Sequence, residues 1–120
     1  MSNGIPSTIR AQKYISLTTF RKTGAGVPTP VWFGEENGKL YIMTMNDSGK
    51  SKRIRNNQQV RVAPCTIRGK VTGPDSVATA RLLPKEDFAH ARKTITRKYW
   101  MAWLTQPFSR ADAFVEISFE

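Results

Sequence analysis

The segment from Ser48 to Arg55 carries residue types that together can bind a phosphate group. Asp47 and Ser48 are both residue types that cap helices, and they precede a short predicted helix from Gly49 to Asn56. The N-terminus of a helix offers unpaired backbone N–H groups and the positive end of the helix dipole, which suit a phosphate. Ser48 adds a hydroxyl group, and Gly49 lets the backbone approach a ligand closely.

The cationic side chains of this segment point to different sides of the predicted helix. Lys50 lies four residues before Ile54, which we expect to anchor the helix to the core, so both residues share one face. Lys52 points nearly the opposite way, and Arg53 and Arg55 lie on the two flanks. Lys50 is therefore the first candidate for a buried phosphate contact, followed by Arg55 and Arg53. A solvent-exposed basic helix would explain the same residues, and the glycines that precede the lysine of a P-loop are missing.

Two prolines interrupt an otherwise good strand pattern from Val27 to Phe33. Pro28 and Pro30 have no N–H group to give to a neighbouring strand, and residues two apart point towards the same edge. One interpretation is that the strand lies at the edge of a sheet, which is the usual reason for such prolines. Alternatively, a flat ligand lies against this backbone in place of a strand, in contact with Val31 and Trp32.

Other residues with chemical potential give weaker signals. His90 is the only histidine and lies in a predicted helix, where a structural or surface role is favoured over general-base catalysis. Cys65 is predicted to be a small buried side chain. For Tyr99, Trp100 and Trp103 at helical spacing, packing in the core or at a subunit interface is favoured over ligand stacking. The sequence indicates no metal site and identifies no catalytic residue.

The elements that position these residues are short strands at hairpin spacing, with one short and one longer helix. The first three strands are predicted to form an antiparallel meander, whose second turn is the hairpin signal Asn37-Gly38. They leave no room for crossover helices, which disfavours a doubly wound α/β fold. The pattern predicts a mainly β fold, a small antiparallel barrel. Its strands cover Tyr14 to Phe20, Val27 to Phe33, Lys39 to Met45, Val60 to Ile67, Val77 to Leu83 and Ala113 to Phe119, and the longer helix runs from Pro84 to about Trp103.

Length and charge limit the classes of function. The 120 residues fit one domain, and 19 Lys and Arg against nine Asp and Glu give a net charge of +10, which implies an anionic partner. No acidic residue occurs between Ser48 and Pro74, although seven Lys and Arg do. No apolar run approaches the roughly 18 residues that span a bilayer, no secretory signal precedes residue 14, and a single cysteine makes no internal disulfide. We expect a cytoplasmic protein without a membrane partner.

Three blocks of the sequence resemble the pyridoxamine 5'-phosphate oxidase-like FMN-binding split-barrel superfamily, in particular its deazaflavin (coenzyme F420)-dependent oxidoreductase branch. The blocks are Tyr14 to Arg21, Val27 to Phe33, and Ser48 to Asn57 followed by Val60 to Cys65. The resemblance covers the chain from about Tyr14 to its end. The sequence is shorter than the oxidases that name the superfamily and lacks their long C-terminal substrate-binding segment, so we do not expect vitamin B6 oxidation.

The resemblance implies a homodimeric split barrel of Greek-key type formed by residues 14–120, with residues 1–13 as an N-terminal arm. It also implies two cofactor sites at the subunit interface. By this resemblance, the cofactor ring would be held by Thr29, Pro30, Val31 and Trp32. Its ribityl chain would lie near Thr44 and Asn46. Its phosphate would be held by Ser48, Gly49, Lys50 and Arg55, with Arg53 beside them.

The implied activity is hydride transfer from reduced F420 to an electron-poor small-molecule acceptor such as an enone, quinone or tetrapyrrole, with the cofactor carrying the chemistry. An FMN-dependent oxidase or reductase of the same fold is the alternative. A non-catalytic module that binds nucleic acid is a third hypothesis, supported by the net charge. It is disfavoured because aromatic residues do not interleave with the basic ones, as they do in single-strand binders.

Overall fold

The computed structural model describes residues 5–10, 12–98 and 112–119. Within them, seven strands form one antiparallel sheet in the order β2-β1-β5-β6-β7-β4-β3. The strands are β1 Tyr14–Phe20, β2 Gly26–Trp32, β3 Gly34–Glu36, β4 Lys39–Thr44, β5 Gln59–Cys65, β6 Ser76–Leu82 and β7 Ala113–Phe119. The helices are α1 Ser7–Arg10, α2 Gly49–Asn56 and α3 Phe88–Lys98, with a 3-10 turn Lys85–Asp87 before α3.

The sheet curls around one apolar core, so the predicted mainly β split barrel is confirmed. Side chains alternate between the two faces of each strand, and the inner set is buried. On α2, Ile54 is 1% exposed and joins that core, while α2 packs against β1 and β6. Ile9 of α1 and Ile5, which precedes the helix, are buried in the same core. The strands contribute Ile15, Leu17, Leu40, Ile42, Val60, Val62, Ala78, Ala80, Val115 and Ile117.

The expected meander of the first three strands is wrong. The hairpin turn at Asn37 and Gly38 forms as predicted, with φ of 54° and 76°, but it joins β4 to the three-residue β3. The other neighbour of β4 is β7, and among the described strands β2 pairs with β1 alone. Pro28 and Pro30 explain this arrangement, because they deprive the outer edge of β2 of the N–H groups that another strand would need.

Helix α3 covers the opposite end of the sheet on its outer face. A Cβ atom on Gly34 of β3 would lie 2.7 Å from both Ile95 Cα and Thr94 O, so the helix backbone rests directly on the strand. Thr94 Oγ1 donates a hydrogen bond of 2.8 Å to Glu36 Oε1. The part of the predicted helix that contains Tyr99, Trp100 and Trp103 lies outside the described residues. Among the helices of the described ranges, none is long and apolar enough to cross a bilayer.

Candidate functional site

The start of α2 is fixed by a network of hydroxyl groups. Ser48 is the N-cap, and its Oγ accepts a hydrogen bond of 3.2 Å from the N–H of Ser51. Thr44 Oγ1, at the end of β4, lies 3.1 Å from Ser48 Oγ. Ser51 Oγ donates to Met45 O at 2.8 Å. These contacts tie β4 to α2 and hold the helix N-terminus in one orientation.

The first two amides of α2 are available to a ligand. The structure gives the N–H groups of Gly49 and Lys50 no acceptor among the described residues, as expected for the first turn of a helix. They lie at the positive end of the helix dipole. Since the hydroxyl of Ser48 is engaged with Ser51, the backbone of Gly49 and Lys50 is the part of this turn best placed to donate to a phosphate.

Lys50 is half-buried on the side of α2 that carries Ile54, as its spacing predicts. Burial lowers the pKa of its ammonium group, and the positive charge of Arg53 lowers it further. No carboxylate forms an ion pair with Lys50 within the described part of the chain. The ammonium group has therefore lost water without gaining a counter-charge, and a bound anion would relieve both effects.

Arg53 folds back towards the start of α2. Its Nε donates a hydrogen bond of 2.6 Å to Thr19 Oγ1 of β1, and Thr19 is fully buried. A Cβ atom on Gly49 would lie 2.8 Å from Arg53 Nη1, so the glycine leaves room for the guanidinium group. Gly49 and Arg53 thus act together, and two cationic groups, Arg53 and Lys50, are placed beside the free amides.

Arg55 and Asn46 stabilise the loop before α2. Arg55 Nη2 donates to Asn46 O at 2.6 Å and to Asn46 Oδ1 at 2.5 Å. The N–H of Asn46 donates to Asp112 Oδ1 at 2.6 Å, which links the loop to the start of β7. In this structure Arg55 positions the loop, and its contact with a phosphate stays a prediction.

The residues expected to line a ring divide between the two faces of β2, which is an edge strand. Thr29 pairs with Leu17, whose side chain is in the core, so Thr29 and Val31 lie on the inner face together with Thr19. Strand β2 is the direct neighbour of β1, at the usual spacing of about 4.8 Å, and Arg53 contacts Thr19 on β1.

By the same alternation, Pro30 and Trp32 lie on the outer face. Trp32 packs against the apolar cluster under α3, and its ring centroid lies 5.9 Å from that of Tyr14. Within one chain, the structure therefore brings Thr29 and Val31, but not Pro30 and Trp32, to the face that carries α2.

A second polar cluster crosses the outer face of the sheet. Glu116 is 7% exposed and accepts hydrogen bonds from Tyr41 at 2.9 Å and from Arg81 Nε at 2.8 Å, with Lys39 Nζ 3.8 Å away. Burial acts to raise the pKa of Glu116, but the hydrogen bonds from Arg81 and Tyr41 and the two positive charges outweigh it, so the pKa is lowered. The carboxylate is thus ionised and fully paired, as in a structural cluster.

The phenol of Tyr41 is expected to lose its proton only at high pH, which makes the folding stability depend on pH. Burial raises its pKa to about 12, and the hydrogen bond to Glu116 acts in the same direction. Because the folded state holds the phenolic proton more tightly than the unfolded state, this contribution to stability is complete below pH 10. It is lost as pH rises towards about 12. Ultraviolet absorbance of tyrosinate should show the late step, and Tyr41→Phe should remove it. A wild-type titration that ends near pH 10 would contradict this assignment.

The weaker sequence candidates lie elsewhere. His90 Nε2 is 3.4 Å from Glu36 Oε1, and its ring meets Tyr41 edge-on with centroids 6.0 Å apart. Cys65 is 1% exposed, which confirms the predicted buried thiol, and burial raises its pKa. Across residues 5–10, 12–98 and 112–119, no group of three or more His, Cys, Asp or Glu side chains could hold a metal ion.

A pocket of about 220 Å³ lies where the hairpin between β1 and β2 meets the start of β5. It contains none of the residues predicted to hold a cofactor. Its lining is Phe20, Gly24, Asn57, Gln59 and Arg61.

Sequence reasoning missed two contributors to the candidate site. Thr19 binds Arg53 from β1, and Asp112 binds the backbone of Asn46 from β7. Both are far from α2 in the sequence, and no local pattern marks either one. Only the sheet topology brings them to the helix.

No protein-family model matches the sequence, and no curated protein matches it significantly. Solved structures share its fold at low sequence identity. An F420 reductase is 19% identical to this chain, with a TM-score of 0.68, and the alignment covers 99% of this chain and 94% of the reductase. HutZ, the heme storage protein from Vibrio cholerae, is 11% identical, with a TM-score of 0.70, and the alignment covers 95% of this chain and 86% of HutZ.

An FAD-binding protein from Mesorhizobium loti is 20% identical, with a TM-score of 0.62 and 95% and 86% of the two chains covered. The chain spans about half the length, 56% and 48%, of two further structures with this fold. These likenesses establish the fold. The fold is thus one on which flavin-type cofactors and heme are both bound.

Proposed function

We propose that this protein is an oxidoreductase that binds a phosphorylated flavin-type cofactor, with its phosphate at the start of α2. The observation that carries the proposal is the half-buried Lys50. It has no acidic partner among the described residues, and it lies beside Arg53 and two free amides. Two cations and a helix N-terminus match the charge and the hydrogen-bonding capacity of a phosphate.

The position of the site also suits a cofactor that is longer than a phosphate. The inner face of β1 is filled by the buried side chains of Ile15, Leu17 and Thr19, so a ring would lie farther out, at the edge strand β2 beside the partly exposed Thr29 and Val31. Thr44 adjoins Ser48 at the phosphate end of the site. The cofactor supplies the hydride when it is bound, and the chain binds and orients it.

A flavin-type cofactor is favoured over heme by the side chains of the site. Heme iron is held by an axial ligand, most often His, Cys, Met or Tyr. The only histidine of the chain, His90, contacts Glu36 and Tyr41 on the outer face, and Cys65 is buried. Neither residue lies in the network around Lys50, and Met45 takes part in that network through its carbonyl oxygen.

Within the flavin class, we propose coenzyme F420 as the cofactor, a reduced deazaflavin that transfers a hydride to an electron-poor small-molecule acceptor. The sequence resemblance supports this choice, as does the likeness of fold to an F420 reductase. The acidic glutamyl tail of the deazaflavin also fits the acid-free stretch from Ser48 to Pro74. FMN is the alternative cofactor.

The cofactor preference is tested by fluorescence titration of F420 and FMN at matched ionic strength. We expect tighter binding of F420, because its tail adds negative charge next to an excess of positive charge. Tighter binding of FMN would move the protein to the alternative activity. Absence of binding by both cofactors would overturn the proposed function.

We further propose that the active unit is a homodimer with a cofactor site at each subunit interface. Thr29 and Val31 lie on an edge strand with no neighbour on its outer side within the described residues. A site at that edge is open on one side, and a second chain would complete it. Light scattering at micromolar concentration should give twice the 13.5 kDa mass of one chain. A mass of 13.5 kDa would contradict both the assembly and the interface site.

A further inference from the structure

The connection between β5 and β6 ends in an exposed aliphatic tip, formed by residues 66–71. Ile67 is 66% exposed and Val71 is 51% exposed. The other exposed large apolar side chains of the described residues are Met45 at 46% and Val77 at 41%, which are less exposed and do not lie in the tip. An aliphatic pair at the end of a hairpin is therefore a local feature of this surface.

The tip is held in one conformation by its own hydrogen bonds. The N–H of Thr66 donates to Lys70 O at 3.0 Å, and the N–H of Gly69 donates to Thr66 O at 2.8 Å. The N–H of Lys70 donates to Thr66 Oγ1 at 3.1 Å. Gly69 has φ of 88°, which glycine adopts without strain. Because the backbone is already ordered, docking of this tip would cost little conformational entropy.

Two cations flank the aliphatic side chains. Arg68 and Lys70 are exposed, and neither forms an ion pair with a described residue. The tip lies inside the acid-free stretch, so no nearby residue in the sequence neutralises them. Aliphatic side chains next to unpaired cations match the interface of a membrane with anionic headgroups, where acyl chains lie beneath negative charge.

We propose that the tip docks on an anionic lipid surface. Ile67 and Val71 enter the boundary between headgroups and acyl chains, and Arg68 and Lys70 contact the headgroup charges. The proposal departs from the expectation of no membrane partner, because surface docking depends on the exposure of Ile67 and needs neither a spanning segment nor a signal. The proposal uses none of the residues around Lys50, although the tip lies beside Pro30 of β2, since a Cβ atom on Gly69 would be 3.7 Å from Pro30 Cγ.

Two other occupants fit the tip less well. If the tips of two copies met on a two-fold axis, Arg68 and Lys70 would face their own counterparts without a carboxylate between them. Single-stranded nucleic acid binds through aromatic side chains on which bases stack, and the tip has none. Aliphatic side chains are better matched to acyl chains.

The test is co-sedimentation of the full chain with vesicles of phosphatidylcholine alone and with added phosphatidylserine. We expect binding to the anionic vesicles only. The double variant Arg68→Gln/Lys70→Gln should bind roughly ten-fold or more weakly, since each cation near such a surface contributes about five-fold. Ile67→Ser should weaken binding roughly ten-fold.

Matched controls separate the tip from the general charge of the protein. Arg21→Gln/Lys22→Gln removes one Arg and one Lys from the turn between β1 and β2, and Val77→Ser removes another exposed aliphatic side chain. Both should bind nearly as the wild type does. Equal losses for the two double variants, with no loss for Ile67→Ser, would show diffuse electrostatic attraction and overturn the proposal. Failure of the wild type to bind anionic vesicles would do the same.

Discussion

Replacement of Lys50 by alanine is expected to weaken cofactor binding roughly ten- to a hundred-fold. The charge-assisted hydrogen bond that is lost contributes about 1.5–3 kcal/mol. The effect should persist at high salt, because the half-buried position of Lys50 shields its contact from mobile ions. Fluorescence titration of the variant and the wild type at low and high ionic strength measures it.

Lys52→Ala is the matched control, since it removes the same formal charge two residues away. Lys52 is exposed on the other side of α2, so it offers only a screened, long-range attraction. Its loss should weaken binding a few-fold at most, and the effect should shrink as salt is added. If both variants lose affinity equally and both losses vanish at high salt, Lys50 is part of a diffuse basic field and the phosphate site is wrongly placed.

Gly34→Ala is expected to destabilise the fold by about 1–3 kcal/mol, the range for overpacking of a well-packed contact. The new methyl group would lie 2.7 Å from Ile95 Cα and Thr94 O, and neither backbone atom can move unless α3 moves as a whole. For a chain of this length, Tm should fall by roughly 3–5 °C for each kcal/mol. Differential scanning calorimetry measures the change.

Gly49→Ala provides the contrast, because its methyl group would also lie too close to another atom, at 2.8 Å. Here the atom is Arg53 Nη1, the end of a flexible side chain that can move aside. The loss of stability should stay below about 1 kcal/mol, the value of one hydrogen bond. Equal losses for the two glycine variants would contradict the direct packing of α3 on β3.

Local signals in the sequence were sufficient for α2. The predicted and observed helix share the same bounds, Ser48 is the N-cap, and Lys50 lies on the face of Ile54. Each of these features depends on residues within one or two turns of the helix. Capping preference and helical periodicity act over that distance, which is why the sequence predicted them.

The sheet topology was harder to predict because strand pairing is non-local. Alternation identified the strand of residues 39–45, but nothing near it indicated β7 as its neighbour, about 70 residues away in the sequence. The prolines of β2 do carry the information that none of the described strands joins its outer edge. An edge position for β2 is incompatible with the meander, because the third strand would have needed that edge.

Side-chain contacts that depend on topology could not be predicted at all. The bond from Arg53 to Thr19 and the pairing of Arg55 with Asn46 decide which of the two arginines lies beside Lys50. Helical spacing places both arginines on the flanks of α2, and Arg55 is the first of the two as a predicted phosphate contact. In the structure, Arg53 has folded towards Gly49, and Arg55 is engaged with the loop.

The most direct measurement of the central claim compares F420 with its phosphate-free deazaflavin core, in the wild type and in Lys50→Ala. If Lys50 and the amides of α2 hold the phosphate, the wild type should bind the phosphorylated form roughly ten-fold or more tightly. That advantage should largely disappear in Lys50→Ala, while the affinity for the phosphate-free core stays unchanged. Equal affinity of the wild type for the two forms would contradict a phosphate site at the start of α2.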